Sequence, residues 1–481
     1  MVKNKIKKLD AIFNPRSIAI IGASRDEKSV GHAILRNLTV GCVFKCKYCK
    51  PFKGSIYPIN PNADEILGIK CYAKLGDVAD EIDLAVIALP AKIVPAIMKE
   101  CAKKKVKGAI IISAGFAELG EEGKKLQDEV VKLAKAAKIP LVGPNCLGII
   151  RPAASMNASF APSTPPQGNV AFISQSGALA DSIIDWAIEE RYGFSAVISY
   201  GNGADLDVYD FLEWLGNDDE TNAIALYIEG IDDGRRFMEI AKKVSRIKPV
   251  VVLKAGKTQT GKSAVSSHTG SLAGSYEVYE AAFRQSGLII ADTVEELFDI
   301  AKALAEQQPC RENAVAIVTN GGGCGVLCAD KCSEYGVNVV ELKQSTINKL
   351  DKSGKMHPAY SRRNPLDIIG DALPERYEAA INTLLGEEYI HSLIVIQTLQ
   401  AMTDSIEDAK IVIEANKKFP SKPIVCTYMG GKFSRESIEL LKTHKIPDYN
   451  DLSKSAKAMQ ALILRGEYLK KIKDQSRHVN S

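Results

Sequence analysis

The sequence lacks any uninterrupted apolar run near the roughly 18 residues that a membrane-spanning helix needs. Its basic start, Met1-Val-Lys-Asn-Lys-Ile-Lys-Lys8, runs into Leu9-Asp10 rather than an apolar signal core, so a cytoplasmic protein without membrane contact is expected. It also lacks a charge excess: 62 Lys and Arg stand against 58 Asp and Glu, which leaves no electrostatic footprint for nucleic acid. Cysteine is sparse and odd in number, 11 in 481 residues. Cys71, Cys101, Cys146, Cys328 and Cys426 lie in apolar segments as small buried hydrophobes, and disulfides are not expected. Two nucleotide signatures are missing from this reading. After Gly22 the next glycine is Gly31, which excludes the Gly-x-Gly-x-x-Gly dinucleotide fingerprint and argues against an oxidoreductase. Gly256, Lys262 and Ser263 are set aside as a P-loop on their spacing.

What is present is ample core material, 46% hydrophobic residues, in a chain too long for one ordinary core. Short β-rich runs alternate with helical patterns throughout, the signature of parallel sheets built from βαβ units. The expected fold class is α/β, with three consecutive open parallel-sheet domains. Residues 1–150 hold strands at Ser17–Ser24, Ser55–Asn60, Asp83–Pro90, Gly108–Gly115 and Ile139–Gly143, with a Cys-containing insert at 40–51. Residues 151–168, rich in Pro, Ala, Ser and Thr, suit an exposed linker. The second domain, 169–308, ends in a helix around 294–306. The third, 309–481, has strands at Asn313–Thr319, Val337–Glu341, Ser392–Gln397 and Pro423–Thr427, and closes with a basic helix.

Each domain turns from its first strand into a helix through small residues: Gly22-Ala-Ser-Arg25, Ser174-Gln-Ser-Gly177 and Asn320-Gly-Gly-Gly-Cys-Gly325. Backbone amides at a helix start, with the positive end of the dipole behind them, suit phosphate or carboxylate, although any α/β fold needs such turns. Residues 254–274 contain no apolar periodicity and read as a long structureless loop, a kind that is usually functional. That loop carries His268, one of six histidines, whose neutral imidazole can accept a phosphoryl group and pass it on. Glu229 ends the strand Ala223–Ile228, where strand carboxyl ends line the ligand crevice, and could hold Nδ1 of that ring.

In order along the chain, Ile21-Gly-Ala-Ser-Arg25, Ile112-Ser-Ala-Gly-Phe-Ala-Glu118, Gly143-Pro-Asn-Cys-Leu-Gly148, Ile173-Ser-Gln-Ser-Gly-Ala-Leu179, Ile228-Glu-Gly230 and Ser267-His-Thr-Gly-Ser271 resemble the α subunit of NDP-forming acyl-CoA synthetases, the succinyl-CoA synthetase superfamily. Asn320-Gly-Gly-Gly-x-Gly325, Asn364-Pro-Leu-Asp367 and Gly430-Gly431 extend the likeness to the archaeal ADP-forming acetyl-CoA synthetase type. The resemblance implies a Rossmann-like CoA-binding domain followed by two flavodoxin-like domains. It implies an acetate–CoA ligase (ADP-forming) that interconverts acyl-CoA, ADP and phosphate with acid, CoA and ATP through acyl phosphate and phosphohistidine. His268 would be the phosphorylated residue and Glu229 its stabilising acid. Ser174, Ser176 and Gly177 would cradle phosphate. Gly22, Ser24, Arg25, Ser113, Ala114 and Gly115 would contact CoA, with Asn145 and Cys146 near its thiol end. A non-catalytic acyl-CoA-binding regulatory or scaffold subunit is the alternative, and it would need neither His268 nor Glu229.

The chain shows no sequence resembling an ATP-grasp domain, so a separate ATP-grasp β subunit carrying ADP or ATP with Mg is implied, in an α2β2 hetero-oligomer. The insert around Cys42-Val-Phe-Lys-Cys46-Lys-Tyr-Cys49 departs from the family. Its Cys-x3-Cys-x2-Cys spacing is that of radical S-adenosylmethionine enzymes, but no β/α barrel follows. An iron–sulfur cluster or zinc held by Cys42, Cys46 and Cys49, with Cys71 as a candidate fourth ligand, stands beside the reading of three free thiols.

Overall fold

Apolar β-branched runs long enough for one strand, each closed by small turn residues, build the three larger sheets among the described residues, beside a two-stranded pair of Glu65–Ile66 with Ile69–Lys70. A computed structural model describes residues 9–190, 192–269 and 275–479, with the backbone alone for 266–269 and 478–479. The chain divides into two compact units, Met1–Ile290 and Ala291–Ser481.

The first sheet uses β1 (Ser17–Ile21), β2 (Ser55–Ile59), β3 (Leu84–Ile87), β4 (Gly108–Ile111) and β5 (Leu141–Val142), with helices α1 (Val30–Thr39), α2 (Val94–Lys104) and α3 (Glu121–Ala137) between them. Its order is β2-β1-β3-β4-β5, all parallel, and the strands are those expected from the sequence. β1, β3 and β4 are buried throughout, which is why they read as continuous apolar runs rather than alternating ones.

The segment read as an exposed linker is instead buried structure. β6 (Gly148–Arg151) and β7 (Met156–Ser159) form an antiparallel hairpin that joins the second sheet. Its small polar residues can be buried because each finds a partner: Asn157 Nδ2 donates to Thr164 Oγ1 at 2.9 Å, and Asn37 Nδ2 of α1 donates to the Ser159 and Ala161 carbonyls at 2.8 Å. The second sheet then takes β8 (Gln167–Ser174), β9 (Phe194–Ser199), β10 (Ala223–Ile228), β11 (Val250–Lys254) and β12 (Ile289–Ile290), with α4 (Gly177–Glu190), α5 (Val208–Gly216), α6 (Gly234–Ser245), α7 (Gln259–Thr269) and α8 (Tyr276–Gln285). The order is β12-β11-β10-β8-β9-β6-β7, parallel except at β6 and β7. Phe13 stacks on Trp214 at 4.1 Å, Trp214 Nε1 donates to Asp10, and the Arg151–Asp218 pair beside them is bidentate and buried, so the first two domains share one core.

The second unit opens with α9 (Val294–Glu306), the helix expected to end the second domain. It continues through β13 (Val315–Thr319), α10 (Gly322–Glu334), α11 (Gln344–Lys352), β14 (Leu366–Asp367), α12 (Pro374–Leu385), β15 (Ser392–Thr398), α13 (Ser405–Lys418), β16 (Ile424–Met429), α14 (Arg435–Thr443) and α15 (Leu452–Val479). The order is β14-β13-β15-β16, all parallel. The strand expected at Val337–Glu341 is reduced to one bridge, Val315 to Val339. The Asn364 amide fills the gap along that edge, accepting from Ile317 N–H and donating to the Val315 and Val340 carbonyls. Asp408 is buried beneath this sheet. Its Oδ1 has no partner among the described residues, and burial pushes its carboxyl up to about 7.

Candidate functional site

The carboxyl ends of β1, β3, β4 and β5 share one edge of the first sheet, the position where parallel sheets bind ligands. Gly22 follows β1 at φ +98°, and a Cβ there would meet the Ala88 carbonyl oxygen at 2.4 Å. Gly31 lets α1 lie against that turn, since its Cβ would fall 1.9 Å from the Gly22 oxygen. The helix begins only at Val30, capped by Ser29, so Gly22 to Arg25 form a turn ahead of the helix rather than its first amides. Ser24 Oγ accepts from Asp26 N–H at 3.0 Å, and exposed Arg25 donates to the Glu65 carbonyl at 3.2 Å. After β4, Ser113 Oγ is tied to the Leu89 carbonyl, and Ala114 is exposed beside half-buried Gly115. Asn145 N–H donates to the Ser113 carbonyl at 3.0 Å, which joins the two loops. Cys146 does not face the crevice: its thiol donates to the Ile111 carbonyl at 3.3 Å, and burial pushes it up to about 12, so it is a packing residue.

On the second sheet, Ser174, Glu229 and Lys254 stand at the carboxyl ends of three adjacent strands, β8, β10 and β11. Ser174 Oγ donates to the Ser176 carbonyl at 2.7 Å and accepts from its N–H at 3.1 Å. Ser176 Oγ accepts from Leu179 N–H at 3.3 Å and so caps α4, which starts at Gly177. The arrangement is a capped helix N-terminus, a geometry suited to anions. Gln175 Oε1 accepts from the N–H groups of Glu229 and Gly230, binding the Glu229 turn to the same cradle. The Glu229 carboxylate is buried, and Tyr227 Oη donates to its Oε1 at 3.4 Å. Burial and then the Glu229 charge push the Tyr227 phenol up to about 12.

Sequence reasoning missed Lys254. Its Nζ is buried, donates to the Glu229 carbonyl at 2.8 Å and lies 4.6 Å from the Tyr279 ring centroid; burial lowers its pKa despite the Glu229 charge. The signal was a lysine ending the otherwise apolar strand Val250-Val-Val-Leu-Lys254. A link between the half-sites was also missed. Asn202, after β9, donates to Glu118 and Gln127 and accepts from Asn145 Nδ2 at 3.2 Å. A Cβ on Gly177 would lie 3.6 Å from Leu147, so the loop carrying Asn145 reaches the start of α4.

The segment 254–274 is not a structureless loop, because Gln259–Thr269 is helix α7. Polar and small residues at nearly every position conceal the helix, which among its described side chains buries Val265. The backbone of His268 belongs to this helix; its side chain lies outside the described residues, as do residues 270–274. Gly256-x4-Gly261-Lys262-Ser263 does carry P-loop spacing, contrary to the reading from sequence. Geometry sets it aside: α7 starts at Gln259, so Gly261 sits inside the helix instead of in a loop that could wrap a phosphate.

The cysteine insert does not fit a metal centre. Cys42 and Cys49 are joined in a disulfide, and no group of three metal-ligating residues occurs among the described residues. Cys71 is buried in the core, its thiol directed at the Asn60 carbonyl. Three cysteines within eight residues converge whether or not a metal holds them, and the spacing alone could not distinguish the cases. Among the described residues, no helix is long and apolar enough to cross a membrane.

In the second unit, Thr319 repeats the Ser174 pattern: its Oγ1 donates to the Gly321 carbonyl and accepts from its N–H, both at 3.0 Å, where α10 begins.

Family models match in the same order as the sheets. Residues 16–152 match a CoA binding domain, 167–304 a succinyl-CoA ligase like flavodoxin domain and 315–465 a ligase-CoA domain. The chain is 44% identical over 460 residues to acetate–CoA ligase [ADP-forming] II subunit alpha of Pyrococcus furiosus, covering 95% of this chain and 97% of that one. It is 44% identical to acetate–CoA ligase [ADP-forming] I of Archaeoglobus fulgidus over 96% of its own length, but spans 64% of that longer relative. A solved acetyl-coenzyme A synthetase 1 of Ca. Korarchaeum cryptofilum, in complex with phosphate and ADP, matches with a TM-score of 0.88 at 38% identity, over 96% of this chain and 98% of that one. With three family models matched in order along the chain and relatives of this likeness over nearly its whole length, the chain belongs to the NDP-forming acyl-CoA synthetase family.

Proposed function

We propose that this chain is the α subunit of an ADP-forming acid:CoA ligase, with acetate as the acid. The observation that carries the reading is the approach of the Asn145–Leu147 loop to Gly177, which supports a thioester end beside the phosphate cradle. Phosphate held at Ser174, Ser176 and Gly177 attacks the thioester carbonyl; the C–S bond breaks, CoA leaves as thiolate and acyl phosphate forms. The His268 imidazole then takes the phosphoryl group and releases the acid. Glu229, at the end of the neighbouring strand, holds the ring so that its other nitrogen is free to attack. The two loops ending in Ser113–Gly115 and Asn145, with Gly22, Ser24 and Arg25, hold CoA. Phosphohistidine is finally discharged to ADP, with Mg, on a separate ATP-grasp β subunit in an α2β2 assembly in the cytoplasm.

The test is to mix the purified chain with acetyl-CoA and labelled phosphate. Acid-labile, alkali-stable label on the protein, absent in His268→Ala, is expected. CoA binding without any label would leave the acyl-CoA-sensing alternative in its place.

A further inference from the structure

The insert between α1 and β2 supplies none of the groups named in those steps, yet it is built into the first unit. Phe44 N–H donates to the Pro162 carbonyl at 2.7 Å, Ser163 Oγ donates to the Phe44 carbonyl at 3.1 Å, and Thr164 Oγ1 is tied to the Gly41 carbonyl. The insert thus straps the end of the CoA-domain helix α1 to the segment that leads into β8. Within it the three sulfurs share one small volume. Cys42 and Cys49 are bonded, the Cys46 sulfur lies 3.1 Å from that of Cys49, and Cys46 N–H points at the same sulfur at 3.2 Å. Exposure differs sharply among them: Cys42 is sealed at 1% exposure, while Cys46 and Cys49 are half-buried. Cys46 and Cys49 also have the Cys-x-x-Cys spacing at which disulfides form and exchange readily.

We propose that Cys42, Cys46 and Cys49 form a thiol–disulfide exchange site in which Cys49 is passed between two partners, so that the free thiol is either the reachable Cys46 or the sealed Cys42. The Cys46 sulfur attacks Cys49 Sγ, a Cys46–Cys49 bond forms, and the Cys42–Cys49 bond breaks with its electron pair leaving on Cys42. The proton given up by Cys46 ends on Cys42, so the step consumes neither oxidant nor reductant. One state offers a thiol at the surface of the strap. The other withdraws it, and frees Cys42 from the covalent link that closes the insert.

The full-length chain, purified without reductant, is alkylated natively with iodoacetamide, then denatured, treated with N-ethylmaleimide and mapped by mass spectrometry without reduction. A brief native exposure should label Cys46 in part of the chains and leave the rest linked Cys46–Cys49, with N-ethylmaleimide on Cys42. Longer native exposure should drain that second fraction into the first. Cys46→Ser should carry the Cys42–Cys49 link and lose all native label in the insert; Cys42→Ser should carry the Cys46–Cys49 link and lose it too. The idea is overturned by Cys42, Cys46 and Cys49 all being alkylatable in the same chain, by a Cys42→Ser variant with Cys46 and Cys49 both free, or by Cys46 label in every chain from the first time point with no second link. Zinc or iron bound mole for mole, shielding all three sulfurs, overturns it as well.

Discussion

Asn202 Nδ2 donates to Glu118 Oε2 at 2.6 Å, and through this bond a loop of the second sheet grips a loop of the first. The other Glu118 oxygen accepts from the N–H groups of Gly115 and Phe116, so one carboxylate fixes the Ser113–Gly115 turn and its distance from Asn145 together. Burial works to raise the Glu118 pKa, but these three donors outweigh it and hold the carboxyl below the usual glutamate range. Its stabilising share is therefore present above about pH 4.5 and is lost as pH falls through the lowered value. Glu118→Ala should weaken CoA binding about tenfold, at roughly 1.5 kcal/mol for a charge-assisted bond, and leave the Michaelis constant for phosphate within about twofold. Calorimetric titration with CoA checks it; unchanged affinity would make the bond a matter of stability alone.

Glu229→Gln should lower the phosphohistidine level by one to two decades, at roughly 1.5 to 3 kcal/mol for a carboxylate holding an imidazole. CoA affinity should stay within about threefold, because Glu229 ends a strand of the second sheet. Retained label on the protein at alkaline pH reads the first quantity, and titration the second.

Lys254→Met leaves the Glu229 and Ala255 carbonyls without the buried amine that now serves both. A cost of roughly 1 to 3 kcal/mol follows for each buried group left unpaired, and the phosphorylation level should fall with it because the Glu229 turn loses its anchor. Thermal unfolding and label incorporation measured on the same preparation would separate the two effects. Full labelling in a destabilised variant would confine Lys254 to stability.

Asp408 should make the second unit less stable as pH rises. Its folded carboxyl titrates at about 7, above the ordinary 3.8, so between these values the folded state binds a proton that the unfolded state has released. Asp408→Asn should therefore raise stability at pH 8 by roughly 1 to 3 kcal/mol and change little at pH 4. Asp448 is pushed up to about 7 as well, so a residual slope remains. Scanning calorimetry of the full chain at several pH values would show it, and a slope identical to that of the parent would rule Asp408 out.

Runs such as Ile18–Ile21 and Val250–Leu253 announced their strands because a strand buried on both faces is apolar at every position. The reading failed where a side chain does the work of backbone. The Asn364 amide replaces most of a strand at Val337–Glu341, and Asn157 with Thr164 lets a Pro- and Ser-rich segment be buried. The placement of Ser174 and Glu229 at strand ends and of Ser176 at a helix start was legible from motif and pattern alone. Asn202, 84 positions from its Glu118 partner, carries no local pattern, and only the fold reveals it.

At Ser174 and at Thr319 one hydroxyl oxygen closes the same small ring, taking the N–H and the carbonyl of the residue two places on. The residues that follow differ, Gln-Ser-Gly in one case and Asn-Gly-Gly in the other. What the two flavodoxin-like domains hold in common at this point is thus the address of a single oxygen atom rather than a string of letters. Alignment by identity would score these turns as unrelated, whereas a search for a hydroxyl bonded to both backbone groups two residues ahead, at the end of a buried parallel strand, would return them as a pair.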